Sequence, residues 1–252
     1  MGQGVRSQLV DIAERLAATD GIGAMTLRDV QVQSGQRNKS VVQYYFGSRQ
    51  GLIAAIMDTR MGPINTRRLA VLDQMGPQPG RRAQVEAFVL PLAEATVLRS
   101  TSYWARFLLQ GSFDPTVRDL VRSSFAASSF RAVRASLVSG LDEVPEAVRR
   151  PRVDMMVEFV LVALASAEGE RDSDHMGAGV AARFVADLLD MCCGLLSAPA
   201  SWAPASQAPA SQAPASQAPA SQAPASQAPA SQAPVSDAPA RSMAAQEGAP
   251  WV

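Results

Sequence analysis

From Pro199 to the C-terminus the sequence reduces to Ala, Pro, Ser and Gln in a five-residue repeat, Ala-Pro-Ala-Ser-Gln, with prolines at 204, 209, 214, 219, 224, 229 and 234 and, less regularly, at 239. Proline at that spacing removes backbone donors from any helix or ladder, and side chains this small and polar bury too little apolar surface to offset the entropy of ordering. Residues 199–252 are therefore expected to be a disordered, partly polyproline-like tail, bracketed by Trp202 and Trp251. What must fold is the first 198 residues, enough for one large or two small cores.

That body carries 22 basic and 21 acidic residues, so it is nearly neutral. Arginine supplies almost all of the positive charge. Lys39 is the only lysine and His175 the only histidine, so a zinc site built on two or three histidines is excluded and any Ser-His-Asp or Cys-His engine would depend on His175 alone. His175 lies near a Gly-containing turn and reads as a surface residue. With no set of acid, base and nucleophile, the chain is not expected to be an enzyme, nor to hold a metal or cofactor.

Cys192 and Cys193 are adjacent in an apolar, helix-like stretch, which suits small buried hydrophobes in an intracellular protein better than a disulfide framework. The first apolar segment, 9–18, is interrupted by Asp11, Glu14 and Arg15, so no signal peptide is expected. Met1-Gly2 is followed by Arg6 with Ser7 one place late, which argues against myristoylation. The longest strongly apolar run, 159–167, is far short of the roughly 20 residues of a membrane span. A soluble, cytoplasmic protein without membrane contact is expected.

Apolar residues recur at helical spacing throughout the body, and no segment alternates as a strand would. The fold class expected is all-α. Leu9, Ile12, Ala13 and Leu16 form one stripe after Ser7, a candidate N-cap, and Gly21 with Gly23 ends that helix. Thr26 and Asp29 read as a capping box opening a short second helix that Gly35 stops. A third helix is expected over 39–46, ended by Gly47, and Ser48 is placed to cap a fourth from Arg49 to about Arg60. Further helices are expected at about 65–74, 82–99, 102–110, 116–141, 146–170 and 176–197, with Pro91 and Pro151 marking a kink or break in two of them.

The stretch 26–46 has the layout of a helix-turn-helix: a capped support helix, a Gly-containing turn and a short second helix with a polar outer face. Val41, Val42 and Tyr45 can face inward, leaving Asn38, Lys39, Ser40, Gln43 and Tyr44 for solvent or a partner. No acidic residue occurs between Asp29 and Asp58, yet Arg37, Lys39 and Arg49 all do. A basic, amide-rich and hydroxyl-rich surface without acids suits phosphates and base edges, so Arg37, Asn38, Lys39, Ser40, Gln43, Tyr44 and Arg49 are the candidate DNA-binding residues.

Thr26-Leu27-Arg28-Asp29-Val30, Gly35 and then Val42-Gln43-Tyr44-Tyr45-Phe46-Gly47-Ser48-Arg49-Gln50-Gly51-Leu52 closely resemble the N-terminal domain of TetR-family transcriptional regulators. The resemblance spans about 6–57. It implies a recognition helix over 39–46, with Ser40, Gln43 and Tyr44 toward bases or phosphates and Phe46 packing the domain. Arg49 stands where the family usually has a lysine meeting a DNA phosphate at the start of the fourth helix. Two departures from the family pattern are a link from Gly35 to Phe46 one residue longer than the commonest spacing, and Gln43 where tyrosine is frequent.

The domains expected are a helix-turn-helix head over 1–50, a helical ligand-binding and dimerisation domain over 51–198, and the tail. The two last helices of the body are too apolar for one buried face each, which points to a homodimer, the alternative being a wide internal core. A homodimer would place two recognition helices on a palindromic operator in double-stranded DNA. Aromatic residues of the middle helices are core by default. The family resemblance further implies an inducer cavity, for which Phe88, Tyr103, Trp104, Phe107 and Gln110 are the candidate lining residues, Glu94 and Arg106 lying nearby, and a small, largely apolar effector is the expected ligand. The competing reading is an all-helical adaptor that recruits partners through its Pro-rich tail without specific DNA binding.

Overall fold

The computed structural model describes residues 2–38, 40–124, 127–172 and 178–201. Lys39, Phe125, His175 and nearly all of the Pro-rich tail, with Trp202 and Trp251, lie outside the described residues. Among the described residues all regular structure is helical: α1 (Gly2–Asp20), α2 (Leu27–Gln33), α3 (Val41–Phe46), α4 (Arg49–Gln74), α5 (Arg81–Ala95), α6 (Trp104–Phe113), α7 (Arg118–Ser124), α8 (Ser128–Ser139), α9 (Glu146–Asp172) and α10 (Ala178–Ser197).

Local signals in the sequence set the N-terminal helices. Thr26 Oγ1 accepts from the Asp29 backbone N–H at 3.2 Å while Asp29 Oδ2 accepts from the Thr26 N–H, the reciprocal capping box. Gly21, Gly35 and Gly47 all adopt positive φ, at 100°, 62° and 67°, so the three stops fall where a Cβ would be strained. Ser48 Oγ accepts from Gly51 N at 3.0 Å and opens α4.

Several boundaries differ from those the sequence suggests. Ser7 lies within α1 rather than capping it. Helix α3 begins at Val41, because Asn38 Oδ1 accepts from Ser40 N at 2.9 Å and closes a turn that competes with helix. Pro63 does not break α4: Gly62 before it has no Cβ to clash with the proline ring, and Met61 and Ile64 are buried on either side. Helix α4 therefore runs unbroken to Gln74, where the sequence suggests one helix ending near Arg60 and another at 65–74. Pro91 and Pro151 likewise sit inside α5 and α9. The segment 116–141 forms two helices rather than one, α7 and α8.

Helix α5 is the centre of the body, packing on α4, α8 and α10 and burying Val85, Ala87, Phe88, Val89, Leu92 and Ala93. Arg67 on α4 holds both oxygens of Glu94 on α5, at 2.8 and 2.9 Å. Helix α6 packs on α9, where the buried Glu168 carboxylate accepts from the first free amides of α6, Ala105 N at 3.2 Å and Arg106 N at 3.0 Å. Cys192 is buried in α10 and its thiol is pushed up to about 12, by burial first and by Cys193 second, as a small core hydrophobe would be.

Helix α1 bridges head and body by packing on α2, α4 and α6. Arg60 of α4 donates to Glu14 and Asp11 of α1. No described helix is long and apolar enough to cross a membrane, and no group of three His, Cys, Asp or Glu among the described residues is arranged to hold a metal ion.

Candidate nucleic-acid interface

Helix α3 is six residues long and is held by what it buries, since a helix so short has little stability of its own. Val41 and Val42 are buried against the head, Tyr45 and Phe46 are half-buried, and the Arg6 guanidinium lies 5.5 Å over the Phe46 ring. The opposite face is open. Tyr44 is 80% exposed and stands edge-on to Tyr45, ring centroids 5.3 Å apart. Arg37, Asn38, Ser40 and Gln43 are exposed around it. The exposed candidates thus gather on one side of the head, with Lys39 outside the described residues.

Gln43 is not idle in the free protein: its Nε2 donates to the Gly47 carbonyl at the end of α3. To pair with a base edge the amide must exchange that bond for an equivalent one, a nearly balanced trade. Asn38 is held by its turn, which orients Ser40 at the start of the helix.

Arg49 has structural partners in the free protein. Nε donates to Met25 O at 3.0 Å and Nη2 to Ile22 O, so two of the three guanidinium nitrogens are turned inward and pin the α1–α2 turn to the start of α4. Residues of α2 and the turn after it, not singled out in the sequence apart from Arg37, complete the outer face. Arg28, Gln31, Val32, Gln36 and Arg37 line a groove between α2 and α3 of about 620 Å³, with Arg28 and Val32 exposed. Arg28 sits between the two capping-box residues, in the first turn of α2, and that position is the one local hint of a further phosphate contact.

The five candidate ligand residues do not surround one cavity. Trp104 and Phe107 are stacked at 5.4 Å and fully buried. Phe88 meets Phe130 edge-on at 5.9 Å deep between α5 and α8. Tyr103 lines a cleft of about 570 Å³ with Asp11, Glu14 and Arg60, between α1 and the start of α6. Gln110 is committed elsewhere: it accepts from Ile22 N at 3.2 Å and donates to Ala18 O at 2.9 Å.

The chain is similar in fold to the solved structure of a protein described as a TetR-family transcriptional regulator from Rhodococcus sp., with a TM-score of 0.48 and 16% identity over 75% of this chain and 99% of that one. It is similar also to GusR of Salmonella enterica, with a TM-score of 0.45 and 18% identity over 79% of this chain and 98% of that one. No protein-family model matches the chain, and no curated protein matches it significantly.

Proposed function

We propose that the chain is a DNA-binding transcriptional regulator that represses from an inverted-repeat operator as a homodimer and leaves it when a small effector binds the body. The observation that carries this is the outer face of α3, where an 80%-exposed tyrosine, Tyr44, stands with Gln43 and Ser40 on a helix anchored from behind by Val41 and Val42, in a stretch without any acid from residue 30 to 57. An exposed tyrosine beside amides and arginines offers a ring and a hydroxyl to a partner, and base edges and phosphates match its surroundings. Tyr44, Gln43 and Ser40 would read the major groove. Arg37, Arg28 and Asn38 would take phosphates, and Lys39 belongs to the same stretch of sequence.

Dimerisation is supported by the outer surface of α9 and α10, which pack on each other. Met155, Phe159, Val162 and Ser166 fall at helical spacing on α9, and Met155 and Val162 are exposed, as are Val180 and Met191 on α10. A second copy turned about a two-fold axis would cover both stripes and set two α3 helices a fixed distance apart.

The effector reading is supported by the connections between body and head. Helix α4 passes from the head into the body without a break, and Gln110 of α6 grips the same α1–α2 turn that Arg49 grips from α4. An effector that favours one arrangement of α4 and α6 would shift the spacing of the two heads. Selection of bound sequences from random DNA, followed by titration of the selected duplex against salt, tests the proposal. A steep fall of affinity with salt on a two-fold symmetric site supports it, whereas equal affinity for all duplexes favours the adaptor reading.

A further inference from the structure

Arg68 lies at the heart of the body and is 1% exposed. No Asp or Glu among the described residues pairs with it. Nη1 donates to Asn65 Oδ1 at 3.0 Å and, weakly, to Ser129 Oγ at 3.4 Å, both neutral acceptors. Nε is buried with no hydrogen-bond partner among the described residues. The rings of Phe88 and Phe130 lie against the guanidinium, 5.7 and 5.9 Å from its carbon, and compensate part of the charge. Burial lowers the group from 12.5 to about 10, so it is still a cation at neutral pH.

A buried guanidinium without a carboxylate is among the costliest arrangements a core can keep, and a leucine or methionine would fill the same space without that cost. Its fork of donors fits a carboxylate in two-point fashion, and here the fork is only partly used. Space adjoins it. A cavity of about 520 Å³ is lined by Met57, Met61, Asn65 and Leu120, with exposed Asp58 the one carboxylate among the described residues of that lining. Asn65 both lines this cavity and accepts from the guanidinium, and its Oδ1 also accepts from Ser129 Oγ at 2.8 Å. Asn65 is thus the residue that the cavity and the guanidinium share.

We propose that Arg68 is the anion receptor of an effector site, taking a small organic carboxylate whose apolar body lies along Met57, Met61 and Leu120 and whose carboxyl group replaces Asn65 Oδ1 on the guanidinium fork. This rests on the regulator reading only in calling the ligand an effector; the binding itself does not require DNA. The two methionines suit a flexible apolar chain or a single ring, because their unbranched stems adapt to irregular shapes. A neutral analogue of the same shape would leave the cation and its Nε unpartnered and would lack the preference.

The test is calorimetric titration of the full-length chain with octanoate and 3-phenylpropionate, each against its primary amide. At least one acid is expected to bind about tenfold or more tightly than its amide, and Arg68→Met, which keeps the stem and removes the charge, is expected to erase that difference. Acids and amides binding alike, acids failing to bind at about 10 mM, or an acid preference that survives in Arg68→Met would each overturn the proposal. If Arg68→Met does not fold, the comparison of acid with amide on the unaltered chain decides alone. Release of the selected DNA is read separately. An acid preference without release leaves the Arg68 site standing and sinks the effector role, whereas release by acid and amide alike leaves the regulator standing and removes the anion receptor.

Discussion

The backbone N–H of Ile22 donates to Gln110 Oε1 across 88 positions of sequence, at 3.2 Å, and the same amide side chain donates to Ala18 O at 2.9 Å. One residue of α6 thereby holds the end of α1 and the turn beyond it, while Arg49 holds the other side of that turn through Ile22 O and Met25 O. The head is oriented on the body by this turn. Gly111, next along α6, explains why the approach is so close: a Cβ there would stand 2.8 Å from Val121 Cγ2 and 3.3 Å from Ile22 Cδ1.

Gln110→Ala should cost about 1–2 kcal/mol of stability, because it orphans one backbone donor and one acceptor whose residues are buried. Urea unfolding gives the size, and hydrogen exchange at Ile22 should accelerate before that of the body. Carboxylate binding at Arg68 should be unchanged. A loss of ligand binding equal to the loss of stability would return Gln110 to the cavity wall.

Gln43 and Tyr44 should separate in their effects on DNA. Gln43→Ala should alter base preference at one position of each half-site by about 1–3 kcal/mol. Tyr44→Ala should weaken binding while changing fold stability by no more than about 0.5 kcal/mol, since an exposed ring supports little of the core. Binding titrations on variant duplexes and thermal melts check both. If melting falls in step with affinity, the face has been misassigned.

Gly51→Ala sets two effects against each other. Alanine in place of glycine favours a helix by about 1 kcal/mol, but here its Cβ would fall 2.1 Å from Phe46 O, a backbone atom at the end of α3. Overpacking of that kind costs about 1–3 kcal/mol, so the variant should be destabilised and should lose DNA affinity as α3 is displaced. A higher melting temperature with intact binding would show that α3 and α4 are not seated this closely.

Glu14 should leave a mark on the pH dependence of stability. Burial raises its carboxyl above the ordinary value of 4.5, with Arg60 opposing. A group that holds its proton more tightly folded than unfolded gains stability as pH falls through its folded value, and the gain is complete at the unfolded value. Melting temperature relative to Glu14→Gln should therefore rise as pH is lowered toward 4.5. A difference that instead grows as pH rises would mean that the ion pair with Arg60 outweighs burial.

The elements legible in the sequence are those whose cause is local. Thr26 with Asp29, Ser48, and the glycines at 21, 35 and 47 act within four residues of themselves, and each does in the structure what its type suggests. The exposed set around Tyr44 is legible for the same reason, as the two valines of α3 fix which side faces out. The end expected for the fourth helix near Arg60 is missed because packing of Met61 and Ile64 carries α4 through Pro63 despite its missing donor. The backbone contacts of Arg49 and Gln110 are not legible, because their partners are 24 to 92 residues away. Arg68 gives no signal, since an arginine on a long helix reads as a solvated face until its neighbours are known.

The most direct measurement is selection of duplexes from random DNA by the full-length protein, with the stoichiometry of the selected complex determined by sedimentation. The expected result is an inverted repeat bound by two chains, its half-sites about one helical turn or more apart, with affinity falling steeply as salt rises and weakened in Tyr44→Ala. Failure to enrich any sequence, or enrichment of a single asymmetric half-site by one chain, would contradict it.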